Sequence, residues 1–269
     1  MVKQIHAEWY KAVHRPYFRN LILACALLSA GAVAMIYWLR DAAAVADQVN
    51  LPFAVASTLF LMVVGLYFVS VGADLVYSDQ FKFNTLKNEV SFGLPRWAIY
   101  LSRWVVSLLV LLLALAVLAG IYLALSALLL GMPSEATALE QFNLSPNDAL
   151  VMSLQALANY IFASFPLWLG GLSLMLCLMF LIFNNTFAAF SYLAAVAVLP
   201  PMLKELGNYV DPVFTHMYHL TLSYPFDIMN HATGPQAAEH FLLCWGIGLG
   251  WSLVSTVVGL AVFQRMEIK

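Results

Sequence analysis

The chain is poor in charge. Asp, Glu, Lys and Arg make up 10% of its residues against 63% hydrophobic ones, and the mean hydropathy is +0.85. Soluble domains average about 25% charged residues, so this shortage excludes one. Cysteine is scarce too: Cys25, Cys177 and Cys244 lie far apart inside apolar stretches, with no C-x-x-C pair. They read as structural thiols and carry no information on redox compartment. The G-x-x-x-x-G-K-[ST] phosphate loop, the H-E-x-x-H zinc pair and the G-x-S-x-G elbow are all missing, so no catalytic residue is assigned. No Asp, Glu, Lys or Arg stands near the middle of an apolar run, and Asp74 falls at the end of one. Proton- and ion-coupled carriers place ionisable groups at mid-membrane, where burying them is costly, so the pattern disfavours a secondary transporter.

What is abundant is long apolar sequence. A helix needs about 20 apolar residues to cross ~30 Å of hydrocarbon. Six segments meet that need: Leu21–Leu39, Phe53–Leu75, Trp104–Leu130, Leu150–Phe183, Phe187–Met202 and Phe241–Phe263. They lack the polar/apolar alternation of barrel strands, so the fold class is an all-α membrane protein forming a single domain over 1–269.

Charge sets the expected orientation. With the N-terminus in the cytoplasm, Lys3, Lys11, Arg15, Arg19, Lys82, Lys87, Arg96, Arg103, Arg265 and Lys269 fall inside, and only Arg40 and Lys204 outside. Both termini are then cytoplasmic. The net charge of −2 combines a basic inner face with an acidic outer one, and nothing points to nucleic acid.

Residues 1–19 form an expected interfacial helix. Ile5, Trp9, Val13 and Tyr17 recur at helical spacing opposite Lys3, Lys11 and Arg15, before Pro16 breaks the pattern. A secretory signal ending near Ala42-Ala43-Ala44-Val45-Ala46 is the competing reading. Against it, the apolar run is long and the leader is patterned.

The segment 77–103 is the most informative. After Asp79 a helix through about Val90 places Phe81, Thr85 and Asn88 along one line and Phe83, Leu86 and Val90 along another, with Lys82 and Glu89 beside them. Gly93-Leu94-Pro95 ends it, and Arg96, Trp97, Tyr100 and Arg103 form an expected interfacial belt. An amphipathic helix held by lipid headgroups and a docking site for a soluble partner both fit these residues.

With Thr85-Leu86-Lys87-Asn88 followed by Gly93, Arg96, Tyr100 and Arg103, the segment resembles the inner loop of ABC-2 type transporter permeases. The N-terminal helix with Glu8, Trp9 and Lys11 and the tail Phe263–Lys269 are similar as well. The chain departs from the family pattern at Gln80, Asn84 and Pro95. The resemblance implies two permease chains, as homodimer or heterodimer, in a bacterial plasma membrane. It also implies two copies of an ATP-binding subunit carrying ATP and Mg, this chain having no cofactor of its own. Asp79, Phe81, Lys82, Phe83, Thr85, Leu86, Lys87, Asn88, Glu89 and Arg96 become the implied docking residues. Export of an amphipathic peptide or peptide antibiotic is the implied function, as in bacteriocin and lantibiotic self-protection permeases. A lipid or hydrophobic-drug exporter and a non-transport membrane scaffold are the alternatives.

Between the fifth and sixth spans, 203–239 is too long for a structureless connection. Asp211 is placed to cap a helix starting at Pro212, and Pro225 to close it. The resemblance implies short re-entrant helices here as an outer gate, with Pro200-Pro201 breaking the fifth span. His216 and His219 share a helical face near His231 and His240. Interfacial packing explains them better than a metal site, and no metal is assigned. The fourth span would run ~50 Å, so Pro166 and Gly170-Gly171 are expected to kink or divide it. Gln155 and Asn159, one turn apart, either line a pathway or hydrogen-bond another helix.

Overall fold

The computed structural model describes residues 2–42, 48–82, 89–182, 184–231 and 237–265, without the side chains of 41–42, 59–62, 78–82, 230–231 and 237–239. Every regular element among the described residues is helical. In hydrocarbon a helix satisfies its own backbone polar groups, which suits a chain this apolar.

Helix α1 (Val2–Val13) ends at a turn, and Pro16, whose missing N–H costs nothing in a first turn, opens α2 (Pro16–Ala42). Then come α3 (Leu51–Ser57), α4 (Leu59–Lys82), α5 (Arg96–Leu129), α6 (Glu135–Phe142) and α7 (Pro146–Ile182). The chain continues through α8 (Asn185–Leu193), a π-helical turn over Ala194–Val198, and α9 (Leu199–Tyr209). It closes with α10 (Pro212–His219), α11 (Tyr224–His231) and α12 (Ala237–Arg265). Among the described residues, five stretches are long and apolar enough to cross a membrane: Pro16–Arg40, Arg96–Leu129, Pro146–Ile182, Asn185–Tyr209 and His240–Arg265. The chain is therefore a multi-pass membrane protein.

Three expectations about the spans need correction. The second, Phe53–Leu75, is divided at Thr58, between α3 and the 24-residue α4. Asn50 starts α3 by accepting the Phe53 N–H at 3.1 Å. The Ser57 and Thr58 hydroxyls both donate to the Ala54 carbonyl, at 2.8 and 3.0 Å, competing with the helical ladder where the two helices meet. The fourth span is not divided, because α7 runs through Pro166 as one helix. Its glycines instead serve packing: a Cβ on Gly170 would lie 2.7 Å from the Gly248 carbonyl oxygen, and one on Gly171 2.7 Å from the Tyr192 hydroxyl.

The fifth span does not break at Pro200-Pro201. Its ladder loosens into the π turn just before them, and the Leu199 N–H bonds the Ala194 carbonyl. The Val196 carbonyl would next accept from residue 200 or 201, and both are prolines without an N–H. The Ser223 hydroxyl donates to it instead, at 2.7 Å, and the helix continues.

Two units make up the chain. The first comprises Met1–Arg15, Gly65–Leu111 and Ala163–Lys269. Its core centres on Phe180, which packs against Tyr77, Tyr100 and Phe263 at ring-centroid distances of 5.4, 5.3 and 4.7 Å. The Trp104 indole N–H donates to Ser173 Oγ at 2.9 Å, and the Ser173 and Ser252 hydroxyls lie 3.0 Å apart, linking α5, α7 and α12. Such bonds hold helices together where lipid supplies no hydrophobic drive. The second unit comprises Pro16–Val64 and Leu112–Phe162. There Val33, Ala54, Tyr122 and Leu130 form a core. Ser29 Oγ donates to the Leu118 carbonyl at 2.8 Å, and the Ser57 and Tyr122 hydroxyls lie 2.7 Å apart. Arg40 donates to the Leu130 carbonyl at 3.2 Å, where a cation suits the C-terminal end of α5.

Candidate functional site

The 77–103 segment turns sharply at Gly93. Its φ of 81° lies in the left-handed region open to glycine. The Gly93 N–H bonds the Val90 carbonyl at 3.0 Å and the Leu94 N–H the Glu89 carbonyl at 3.4 Å, the paired closing bonds of a Schellman motif. Gly93-Leu94-Pro95 thus ends a helical turn as expected, and Arg96 follows directly. Arg96, one of the implied docking residues, donates through Nη1 to the Phe263 and Gln264 carbonyls, both at 2.7 Å. A cation bonded to the last carbonyls of α12 ties the segment to the end of the sixth apolar stretch.

Below the turn lies an ionic network. Arg103 Nη2 donates to Glu89 Oε2 at 2.5 Å, with the arginine side chain 1% exposed and the glutamate 16%. Lys11 Nζ bonds Glu8 Oε1 at 2.8 Å and lies 3.6 Å from Glu89 Oε1. Glu8 is 4% exposed, a buried carboxylate on the expected interfacial helix. Two cations and two anions, from α1, Glu89 and α5, therefore alternate, and no charge in the group stands alone. The Arg103 guanidinium carbon also sits 5.4 Å from the centre of the Tyr77 ring. Arg15 fastens the end of α1 by donating to the Leu75 carbonyl at 2.6 Å.

Burial corrects the interfacial belt. Trp97 is 48% exposed and fits it, whereas Tyr100 and Arg103 are wholly buried. Among the docking residues, Asp79, Phe81 and Lys82 form the last turn of α4, which continues from the apolar stretch as one helix; their side chains lie outside the described residues. Phe83, Thr85, Leu86, Lys87 and Asn88 also lie outside them. Glu89 is described, and it turns inward. Of the interfacial-helix residues, Glu8 and Lys11 enter the network and Trp9 is partly buried beside them.

The region after the fifth apolar stretch is also ordered by its sequence. Asp211 Oδ1 accepts the Val213 N–H at 2.8 Å, and Pro212 begins α10. Pro225 does not close that helix, which ends at His219; it stands in the first turn of α11. Asp227 accepts from Lys204 at 2.7 Å and from the Tyr218 hydroxyl at 2.8 Å, joining α9, α10 and α11. Burial, and then the carboxylate that takes its hydrogen bond, push the Tyr218 phenol above its usual range. His219 stacks on Tyr224 at 4.3 Å, and the His216 and His219 rings lie 6.3 Å apart. Pro200 is buried and Pro201 exposed, both inside α9. No three His, Cys, Asp or Glu side chains gather among the described residues as a metal site.

Gln155 and Asn159 are exposed on α7. Sequence reasoning missed Tyr77 and the inward role of Arg103. A lone arginine starting an apolar run looks like any snorkelling residue, and its partners come from distant segments. No protein-family model matches this chain, and no curated protein matches it.

Proposed function

We propose that this chain is the membrane-spanning half of an ATP-binding-cassette exporter of the ABC-2 type. It works as a pair of permease chains with two separate ATP-binding subunits and moves an amphipathic peptide out of a bacterial cell. The observation that carries the reading is the contact of α1 with the 77–103 segment through Lys11 and Glu89, backed by buried Arg103. It joins the two regions that resemble the family into one surface at the same end of the first unit. A shallow groove of about 360 Å³ with Lys3, Gln4, Lys11, Glu89 and Leu94 on its walls runs along that surface.

The multi-pass helical architecture and the missing phosphate loop support the same reading, since hydrolysis must then come from elsewhere. ATP-driven motion of a docked subunit would reach α5 through Glu89 and Arg103, and α12 through Arg96, so the spans move as packed bodies. Binding of the ATPase subunit to purified chain tests this. Phe81→Asp with Leu86→Asp should release the subunit, while Met202→Ala, at an exposed position remote in sequence, should leave it bound. Unchanged binding in the double variant contradicts the docking assignment.

A further inference from the structure

Helix α7 carries two polar side chains on an otherwise apolar outer face. Gln155 and Asn159, one turn apart, are both exposed, and neither amide has a hydrogen bond among the described residues. Val151, Met152, Leu154 and Ile161 around them are exposed as well, while Ser153, Leu157 and Ala163 turn the other face of the helix into the chain.

An amide among apolar groups costs free energy unless its donors and its acceptor both find partners. A lipid tail offers neither. A second amide offers both, since Asn and Gln each carry a carbonyl and an NH₂ group. The same side chain on another copy of the chain is therefore a complement. Spacing points the same way. Met152, Gln155, Asn159 and Phe162 recur at intervals of three, four and three residues, the seam of a left-handed helix pair. With Met152 and Asn159 at the a positions and Gln155 and Phe162 at d, Asn159 stands where a single asparagine fixes the register of parallel helices. A two-fold axis beside α7 sets each of these residues against its own copy. Two copies inserted in the same direction are related by an axis across the membrane, which makes their α7 helices parallel, as that seam requires.

We infer that two copies of this chain pair through α7, with Gln155 and Asn159 hydrogen-bonding their counterparts in register and Met152 and Phe162 packing beside them. The interface rests on the pairing of permease chains proposed above and needs no ATPase subunit.

The test is oxidative cross-linking of the full chain in its membrane, one cysteine added at a time. Cys25, Cys177 and Cys244 are buried, so the unaltered chain should give no cross-linked dimer. Gln155→Cys and Asn159→Cys should each give one. Leu154→Cys and Ile161→Cys, equally open but about 100° or more round the helix, should not. Gln155→Ala with Asn159→Ala should weaken pairing about tenfold on dilution in liposomes, read by energy transfer between labelled copies, while each copy still unfolds cooperatively. Asn159→Gln, which keeps the amide, should retain most of the affinity. Cross-linking that is equal at all four positions or missing at 155 and 159, or pairing untouched by the double alanine variant, overturns the inference. A chain that is dimeric by mass but not linked at 155 or 159 overturns this interface and leaves the pairing, whereas a monomer overturns both. Links at 155 and 159 in preparations without an ATPase subunit support the interface and count against the exporter.

Discussion

Arg103 and Glu89 form an ion pair at 2.5 Å in which the arginine side chain is 1% exposed and the glutamate 16%. The pair is asymmetric, because Glu89 retains Lys11 at 3.6 Å whereas Arg103 has no second carboxylate among the described ion pairs. Removing one partner of a buried pair costs about 3–5 kcal/mol, chiefly through the charge left behind. Glu89→Gln should therefore destabilise more than Arg103→Met, and the double variant should recover much of the loss. Thermal unfolding followed with a thiol dye measures this directly, since Cys25, Cys177 and Cys244 are free and buried until the chain opens. Additive losses in the double variant would contradict the coupling.

Ser223→Ala removes the donor to the Val196 carbonyl. The adjacent prolines cannot replace it, so the loss should be about 1–3 kcal/mol, the cost of an unmade buried hydrogen bond. Ser223→Thr should keep most of the stability. A neutral Ser223→Ala result would mean that the carbonyl finds another donor.

Gly248 sets how closely α12 approaches α7. A Cβ there would collide with the Pro166 carbonyl group and lie 2.7 Å from the Leu167 nitrogen, whereas one on Gly246 meets nothing within 4 Å. Gly248→Ala should destabilise by about 1–3 kcal/mol through overpacking, with Gly246→Ala close to neutral. Equal effects in unfolding assays would place the helices farther apart than described.

The Tyr218 phenol titrates above its usual range because the folded chain buries it and lets it donate to Asp227. A raised native value means that the folded state holds the proton more tightly. Its contribution is full below about pH 10, the unfolded tyrosine value, and is lost as pH climbs toward the native one. Tyr218→Phe should lower stability by about 1 kcal/mol at pH 7, with a gap to wild type that narrows above pH 10. A gap that stays constant with pH would remove the titration from the account.

The apolar stretches were legible because hydropathy is summed over many residues and needs no tertiary knowledge. So were local signals such as Asp211 before Pro212 and the glycine at 93, where cap and turn chemistry act within a few residues. The misreadings share one cause. Pro200-Pro201 should break a helix when judged alone, yet Ser223 repairs the damage from another element. Arg103 looked like a membrane-edge cation, yet it is buried and pairs with Glu89. Each depends on a partner that only the fold brings near.

The most direct measurement is to purify the tagged full chain from its native membrane in mild detergent, identify what accompanies it, and assay ATP hydrolysis. The account predicts a co-purifying subunit with a phosphate loop and hydrolysis that is lost when Phe81 and Leu86 become aspartate. A chain that purifies alone under conditions that preserve other membrane complexes, with no associated hydrolysis, would contradict it.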